Sequence, residues 1–167
     1  PDQYMQAYRQ RMADKLGLSE VGEQEEALYR EFLDLLEQHQ CDFSLSFRAL
    51  NERAAQLLQR PLAGDSIAEL YTLPPAFQAW LEQWQQRLLA DPADPDSRCQ
   101  AMRRANPVFI PRNHLVEEVI QAAYQGDMGA FEKLSNVLQA PFDYRATEAD
   151  FARPANDSNR VSATFCG

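Results

Sequence analysis

The chain has 167 residues, 45% of them apolar and 25% charged, and a formal net charge of -9, which is the composition of one globular domain rather than of a disordered chain. The acidic balance gives no electrostatic grip on phosphate backbones, so no nucleic acid is expected; the nearest basic cluster is Arg98, Arg103, Arg104 and Arg112. No apolar run of about 18 residues and no secretory leader is found, so no membrane partner is expected, and the three widely spaced cysteines, Cys41, Cys99 and Cys166, fit a reducing, cytoplasmic setting rather than a disulfide framework.

In chain order the pattern is helix after helix. From Asp2 to Leu16, Tyr4, Met5, Tyr8, Met12 and Leu16 recur at spacings of three and four, and Gly17 supplies a stop. Gln24 to Gln38 places Leu28, Phe32, Leu35 and Leu36 on one stripe. Both segments read as packed amphipathic helices. Asp42 and Ser44 offer capping oxygens to a third helix carrying Phe47, Leu50, Ala54, Leu57 and Leu58, which is expected to end at Gln59, before Pro61. A short helical stretch is expected from Ile67 to Tyr71. Pro74-Pro75 then breaks the chain and starts a helix with Phe77, Trp80, Leu81, Trp84 and Leu88 on its buried face. The acidic, proline-punctuated loop Asp91 to Pro95 ends it, and a short helix from Asp96 to Ala105 follows.

Next comes the segment "NPVFIPRNHLVEEVIQAAYQGD". Asn106 precedes Pro107 and Ile110 precedes Pro111, so the backbone stays extended as far as Arg112 before a helix begins. Leu115, Val116, Val119, Ile120 and Ala123 form its apolar face, and Glu117 and Glu118 favour its N-terminal end. Gly126 closes this helix and Asp127 is positioned to cap the next, which is expected to bury Phe131, Leu134 and Leu138 before Pro141 stops it. The two make a helical hairpin. Beyond Phe142 the pattern fades, apart from a weak strand-like alternation from Arg160 to Phe165, and a tail that is mobile or docked is expected over residues 143–167. The fold class is therefore all-α, an irregular multi-helix bundle over residues 1–142 with a C-terminal helical hairpin and an extended, partly disordered tail.

Candidate chemistry is sparse. Arg112-Asn113-His114 combines a cation, an amide and a titratable imidazole, but three neighbours at a helix start point in different directions. Structural hydrogen bonding by Arg112 and Asn113 is the simpler reading. His39 and Cys41 could supply two metal ligands but lack nearby companions. Glu25-Glu26 and Glu117-Glu118 are adjacent pairs, not carboxylates facing one another across a substrate, and read as solvated helix faces. The six glycines form no dinucleotide or phosphate-loop pattern, and the only lysines, Lys15 and Lys133, fall in helices. The residues alone assemble no catalytic centre and leave a helical domain.

The order of motifs nevertheless resembles the C-terminal signature of the selenoprotein O family of protein adenylyltransferases. Asn106-Pro107, Arg112-Asn113, Ala122-Ala123, Gly126-Asp127, Leu134, Leu138 and Pro141-Phe142 carry the likeness. Tyr8, Met12 and Lys15-Leu16-Gly17-Leu18 are similar to that family's helix end, and Asp42-Phe43 with Phe47-Arg48-Ala49-Leu50 to another of its helices; Trp80 is placed like the tryptophan ahead of its Asn-Pro segment. Pro111 and His114 stand where many members carry an aliphatic and an aromatic residue, and the tail lacks the usual aromatic-rich segment.

The resemblance implies a kinase-like (pseudokinase) enzyme that binds ATP with Mg2+ or Mn2+ and transfers AMP to Ser, Thr or Tyr hydroxyls of other proteins. None of that family's nucleotide-binding or metal-binding residues matches a position here, and Pro1 stands where a complete chain would start with methionine. The segment is thus expected to be the non-catalytic helical C-terminal part, with the upstream kinase-like domain of the same chain as its partner. Asn106, Pro107, Arg112, Asn113, Gly126, Asp127 and Pro141 are then signature positions of structural type. Cys166 would be the counterpart of a redox cysteine near the family's C-terminus. The competing expectation is a stand-alone helical interaction module without enzymatic activity.

Overall fold

A computed structural model describes residues 2–19, 22–61 and 64–161. Among them are eight α-helices and no strand: α1 (Asp2–Leu16), α2 (Glu23–Gln38), α3 (Phe43–Leu57), α4 (Gln78–Ala90), α5 (Pro95–Ala105), α6 (Asn113–Tyr124), α7 (Gly129–Leu138) and the single turn α8 (Ala149–Ala152). The all-α expectation holds.

Local chemistry sets most boundaries. Asp42 caps α3 by accepting from the Leu45 amide at 2.8 Å, and Asp94 caps α5 through Ser97 at 2.9 Å with Pro95 as the first helical residue. Gly17 takes φ +73° so that Leu18 can donate to the Ala13 carbonyl at 3.0 Å, closing α1 in the left-handed fashion glycine permits. Gly126, at φ +84°, ends α6 in the same way, with Asp127 N–H donating to the Ala122 carbonyl.

α3 is the hub of two cores. On one side Phe47, Leu50 and Ala54 pack with Met12 and Leu16 of α1, Leu28, Phe32 and Leu36 of α2, Trp80, Trp84 and Leu88 of α4, and Met102 of α5. On the other, Leu45 packs with Ile67, Val108, Phe109, Val137 of α7, Tyr144 and Ala152. Trp80 and Trp84 stack at 6.0 Å, and both indole N–H groups are satisfied, by the carbonyls of Leu28 at 2.8 Å and Leu16 at 2.9 Å. The expected assignment of both tryptophans to the core is correct.

Several expectations need correction. Tyr4, Met5 and Tyr8 are exposed, with Tyr8 meeting the edge of the Tyr29 ring at 5.9 Å; the buried apolar residues of that helix are Met12, Ala13 and Leu16. Residues Ile67 to Tyr71 form a hydrogen-bonded turn, with Leu70 and Tyr71 both donating to the Ile67 carbonyl, rather than a helix. Phe131 is half exposed although Leu134 is buried, since α7 packs through a narrower face than its apolar pattern suggests. Asp127 does not cap α7, whose N-cap is Met128 without a side-chain bond; its carboxylate instead receives the Gly129 amide at 2.8 Å. The start of the tail is docked, as Tyr144 and Ala152 enter the second core around a 3-10 turn at Ala146–Glu148. Most of the alternating segment Arg160 to Phe165 lies outside the described residues.

Candidate functional site

Some of the signature positions meet at a polar junction between the end of α1, α3 and the α5–α6 connection. Asn106, fully buried just after α5, is its centre. Its amide donates to the Lys15 carbonyl at 2.9 Å and to Asn51 Oδ1 at 2.7 Å, and its own oxygen accepts from Lys15 Nζ at 3.2 Å. Lys15 Nζ also reaches the Ala105 carbonyl at 2.8 Å and lies over the Phe43 and Phe47 rings. Burial pushes the Lys15 ammonium below its ordinary pKa. One amide thus joins three helices, which explains an asparagine here: it donates twice and accepts once.

Pro107 and Pro141 belong to the same arrangement. Val108 and Phe109 N–H groups both donate to the Pro141 carbonyl, at 2.8 and 3.1 Å, pinning the extended segment against the end of α7. Proline at 107 holds the extended path that delivers those donors.

Arg112 forms a buried ion pair with Asp42, Nη1 to Oδ2 at 2.6 Å and Nη2 to Oδ1 at 3.3 Å. Asp42 therefore caps α3 and anchors the entry to α6 at once. Asn113, by contrast, is exposed at the first position of α6 and makes no side-chain hydrogen bond among the described residues. His114 is buried beside it. The three side chains do not converge.

Gly126 and Asp127 sit apart, at the tip of the α6–α7 hairpin, where their role is the turn itself. Cys166 lies outside the described residues. The remaining candidates disperse into structural duties. His39 ends α2, and Cys41 Sγ contacts its carbonyl at 3.7 Å. Glu25 is buried, accepts from the Gly22 amide at 2.9 Å and pairs with Arg87, while Glu26 pairs with Arg9 at 2.7 Å and with Arg30; these are helix-packing carboxylates, not the solvated face expected. Glu117 is solvated and receives Gln121 at 2.8 Å. The basic cluster also dissolves: Arg98 donates to the carbonyls of Leu88, Asp91 and Ala93 at the end of α4, and Arg103 pairs with Asp143. Among the described residues no group of three or more His, Cys, Asp or Glu side chains is placed to hold a metal ion.

Sequence reasoning missed one constellation. Arg48 is almost fully buried on α3, yet among the described residues its Nε and Nη1 have no hydrogen-bond partner, and the Asn51 Nδ2 one turn on is likewise unpartnered. Both line a cavity of about 230 Å³ between α3 and α5. The available signal was an arginine set between Phe47 and Leu50, inside the apolar stripe of a helix.

The family model described as protein adenylyltransferase SelO matches residues 1–139. A protein nucleotidyltransferase YdiU from Bradyrhizobium diazoefficiens is 40% identical over 168 residues, covering 100% of this chain and 33% of the relative. Proteins of the same name from Rhodopseudomonas palustris and Rhizobium johnstonii are 38% and 40% identical, over 99% and 93% of this chain. The chain spans about a third of the length of these relatives. With a matching family model across the helices that build the Asn106 junction, the chain belongs to the SelO family of protein adenylyltransferases.

Proposed function

We propose that this chain is the non-catalytic, helical C-terminal part of a larger protein adenylyltransferase that transfers AMP from ATP to Ser, Thr or Tyr hydroxyls of other proteins, and that it buttresses a kinase-like part of the same polypeptide. ATP and Mg2+ or Mn2+ would be held by that other part, with other cytoplasmic proteins as substrates. The observation that carries the reading is the set of large apolar side chains left uncovered: Tyr4, Met5 and Tyr8 on α1, and Ile120, Tyr124, Met128 and Phe131 around the α6–α7 hairpin. Surfaces of this kind pack against further protein, and the relatives are about three times as long as this chain. No helix among the described residues is long and apolar enough to cross a membrane.

The test is transfer of label from α-phosphate-labelled ATP with magnesium, comparing this segment with an N-terminally extended gene product. Label in the extended chain alone is the expected result, and γ-labelled ATP separates adenylylation from phosphorylation. Label in neither would move the assignment to a stand-alone helical interaction module, which the same uncovered side chains would serve. Within the proposal Cys166 forms a reversible disulfide with a cysteine outside this segment, the two thiols passing two electrons and two protons to a cellular disulfide such as oxidised glutathione. A Cys166→Ser variant of the extended protein with unchanged activity and redox response would refute that part.

A further inference from the structure

The cavity between α3 and α5 holds a charge that the protein does not neutralise by contact. Arg48 is 4% exposed, and its buried Nε and Nη1 meet no acceptor among the described residues. Burying an unpaired charge is costly, and native proteins do so where a ligand or partner completes it. The nearby acids are already engaged. Glu52 accepts from Ser66 Oγ and the Ile67 amide, each at 2.6 Å; Asp96 holds Arg60 Nε at 2.7 Å; Asp65 receives the Ala146 amide at 2.7 Å; and Asp143 pairs with Arg103.

Asn51 adds an independent pointer of the same sign. Its oxygen is taken by the Asn106 amide, which fixes the amide orientation and leaves Nδ2, a pure donor, buried and unpartnered on the cavity wall. Arg48 and Asn51, three residues apart on one helix, share a face. Two unsatisfied donor groups side by side on one wall, with the nearby carboxylates engaged elsewhere, call for a ligand made of acceptors.

We propose that this cavity is a binding site for a small oxyanion, phosphate or carboxylate, held by Arg48 and Asn51 with Arg103 on its wall. The volume of about 230 Å³ admits the anionic group with a small body attached. Cys99 also lines the cavity, and burial pushes its thiol pKa up, so it is a protonated neighbour that does not repel the anion. The site differs in residues and place from the Asp42–Arg112 pair and is independent of the activity proposed above.

The experiment is thermal unfolding of this chain titrated with inorganic phosphate and, separately, with acetate, against chloride at matched ionic strength, with binding isotherms by calorimetry. Saturable stabilisation beyond chloride by either anion is expected, and the effective one identifies the phosphoryl or carboxylate source. Arg48→Gln should weaken that binding by about tenfold or more, the loss expected for a charge-assisted contact. Asn51→Asp keeps an oxygen for the Asn106 amide but faces Arg48 with a carboxylate. It should raise the melting temperature without added anion and abolish the anion response. It also decides the matter if Arg48→Gln does not fold. Alkylation of Cys99, located by peptide mapping, should slow with the effective anion in the native chain only. No stabilisation beyond chloride by either anion, or an undiminished response in the Asn51→Asp chain, would overturn the proposal.

Discussion

Replacing Asp42 by serine separates the two duties of that carboxylate, because serine retains an oxygen able to cap α3 but cannot pair with Arg112. The side chains of Arg112 and Asp42 are only 8% and 13% exposed, so removing the acid leaves a guanidinium in a poorly solvated place. Breaking a buried pair in this way costs roughly 3 kcal/mol, and in a chain of this size that lowers the melting temperature by roughly 6–12 °C. Asp42→Ala loses the cap as well, for a total of about 4 kcal/mol. The informative variant is the double, Asp42→Ser with Arg112→Met. Methionine keeps most of the apolar stem and buries no charge, so the double should be within about 1 kcal/mol of the native chain. Urea unfolding followed by circular dichroism measures all three. If the double variant is as unstable as Asp42→Ser or worse, the cost does not come from an orphaned charge and the reasoning fails.

Two glycine substitutions form a matched pair in calorimetry. Gly17→Ala meets Met102 Sδ at 2.5 Å in a left-handed conformation and should cost about 3 kcal/mol, whereas Gly126→Ala, with nothing within 4 Å, should cost only the backbone term of about 1 kcal/mol. Trp84→Phe removes the donor to the Leu16 carbonyl and part of the stacked pair, and should destabilise by about 2 kcal/mol in urea unfolding monitored through Trp80 fluorescence. Burial works to raise the Asp91 carboxyl pKa but is outweighed by hydrogen bonds from Ser19 and Ala93 and by the Arg98 guanidinium, which together hold it below the ordinary value. A depressed folded pKa gives stability that is complete above the unfolded value and lost as pH falls through the folded one. Acid titration of unfolding should therefore decline below about pH 4, and less steeply in Asp91→Asn.

Much of the architecture was legible because its signals are local. Asp94-Pro95 and Gly17 fix helix ends by backbone chemistry that needs no distant partner. The spacing of Trp80 and Trp84 marks a buried face, although nothing in the spacing tells which carbonyls receive the two indoles. Periodicity fails where the question is what covers an apolar side: Tyr4, Tyr8 and Phe131 fit their stripes and remain exposed. It fails again for Glu25, buried through a partner 62 residues away, and for Arg48, whose neighbours are apolar in sequence but whose guanidinium faces a cavity built by another helix. The place of Arg112 at a helix entry was legible in the sequence, but its partner Asp42, 70 residues earlier, was not.

The Asn106 amide has a consequence for the order of folding. It ties the backbone at Lys15 to Asn51 across separations of 91 and 55 residues, so the end of α1 can lock only after a long loop has closed at its entropic cost. α1 and the end of α5 should consequently exchange their amide hydrogens as one opening unit, distinct from the faster hairpin of α6 and α7, whose helices adjoin in sequence. The buried amide thereby adds a long-range latch to the apolar packing and the Trp84 bond that already hold the end of the first helix in the cooperative body.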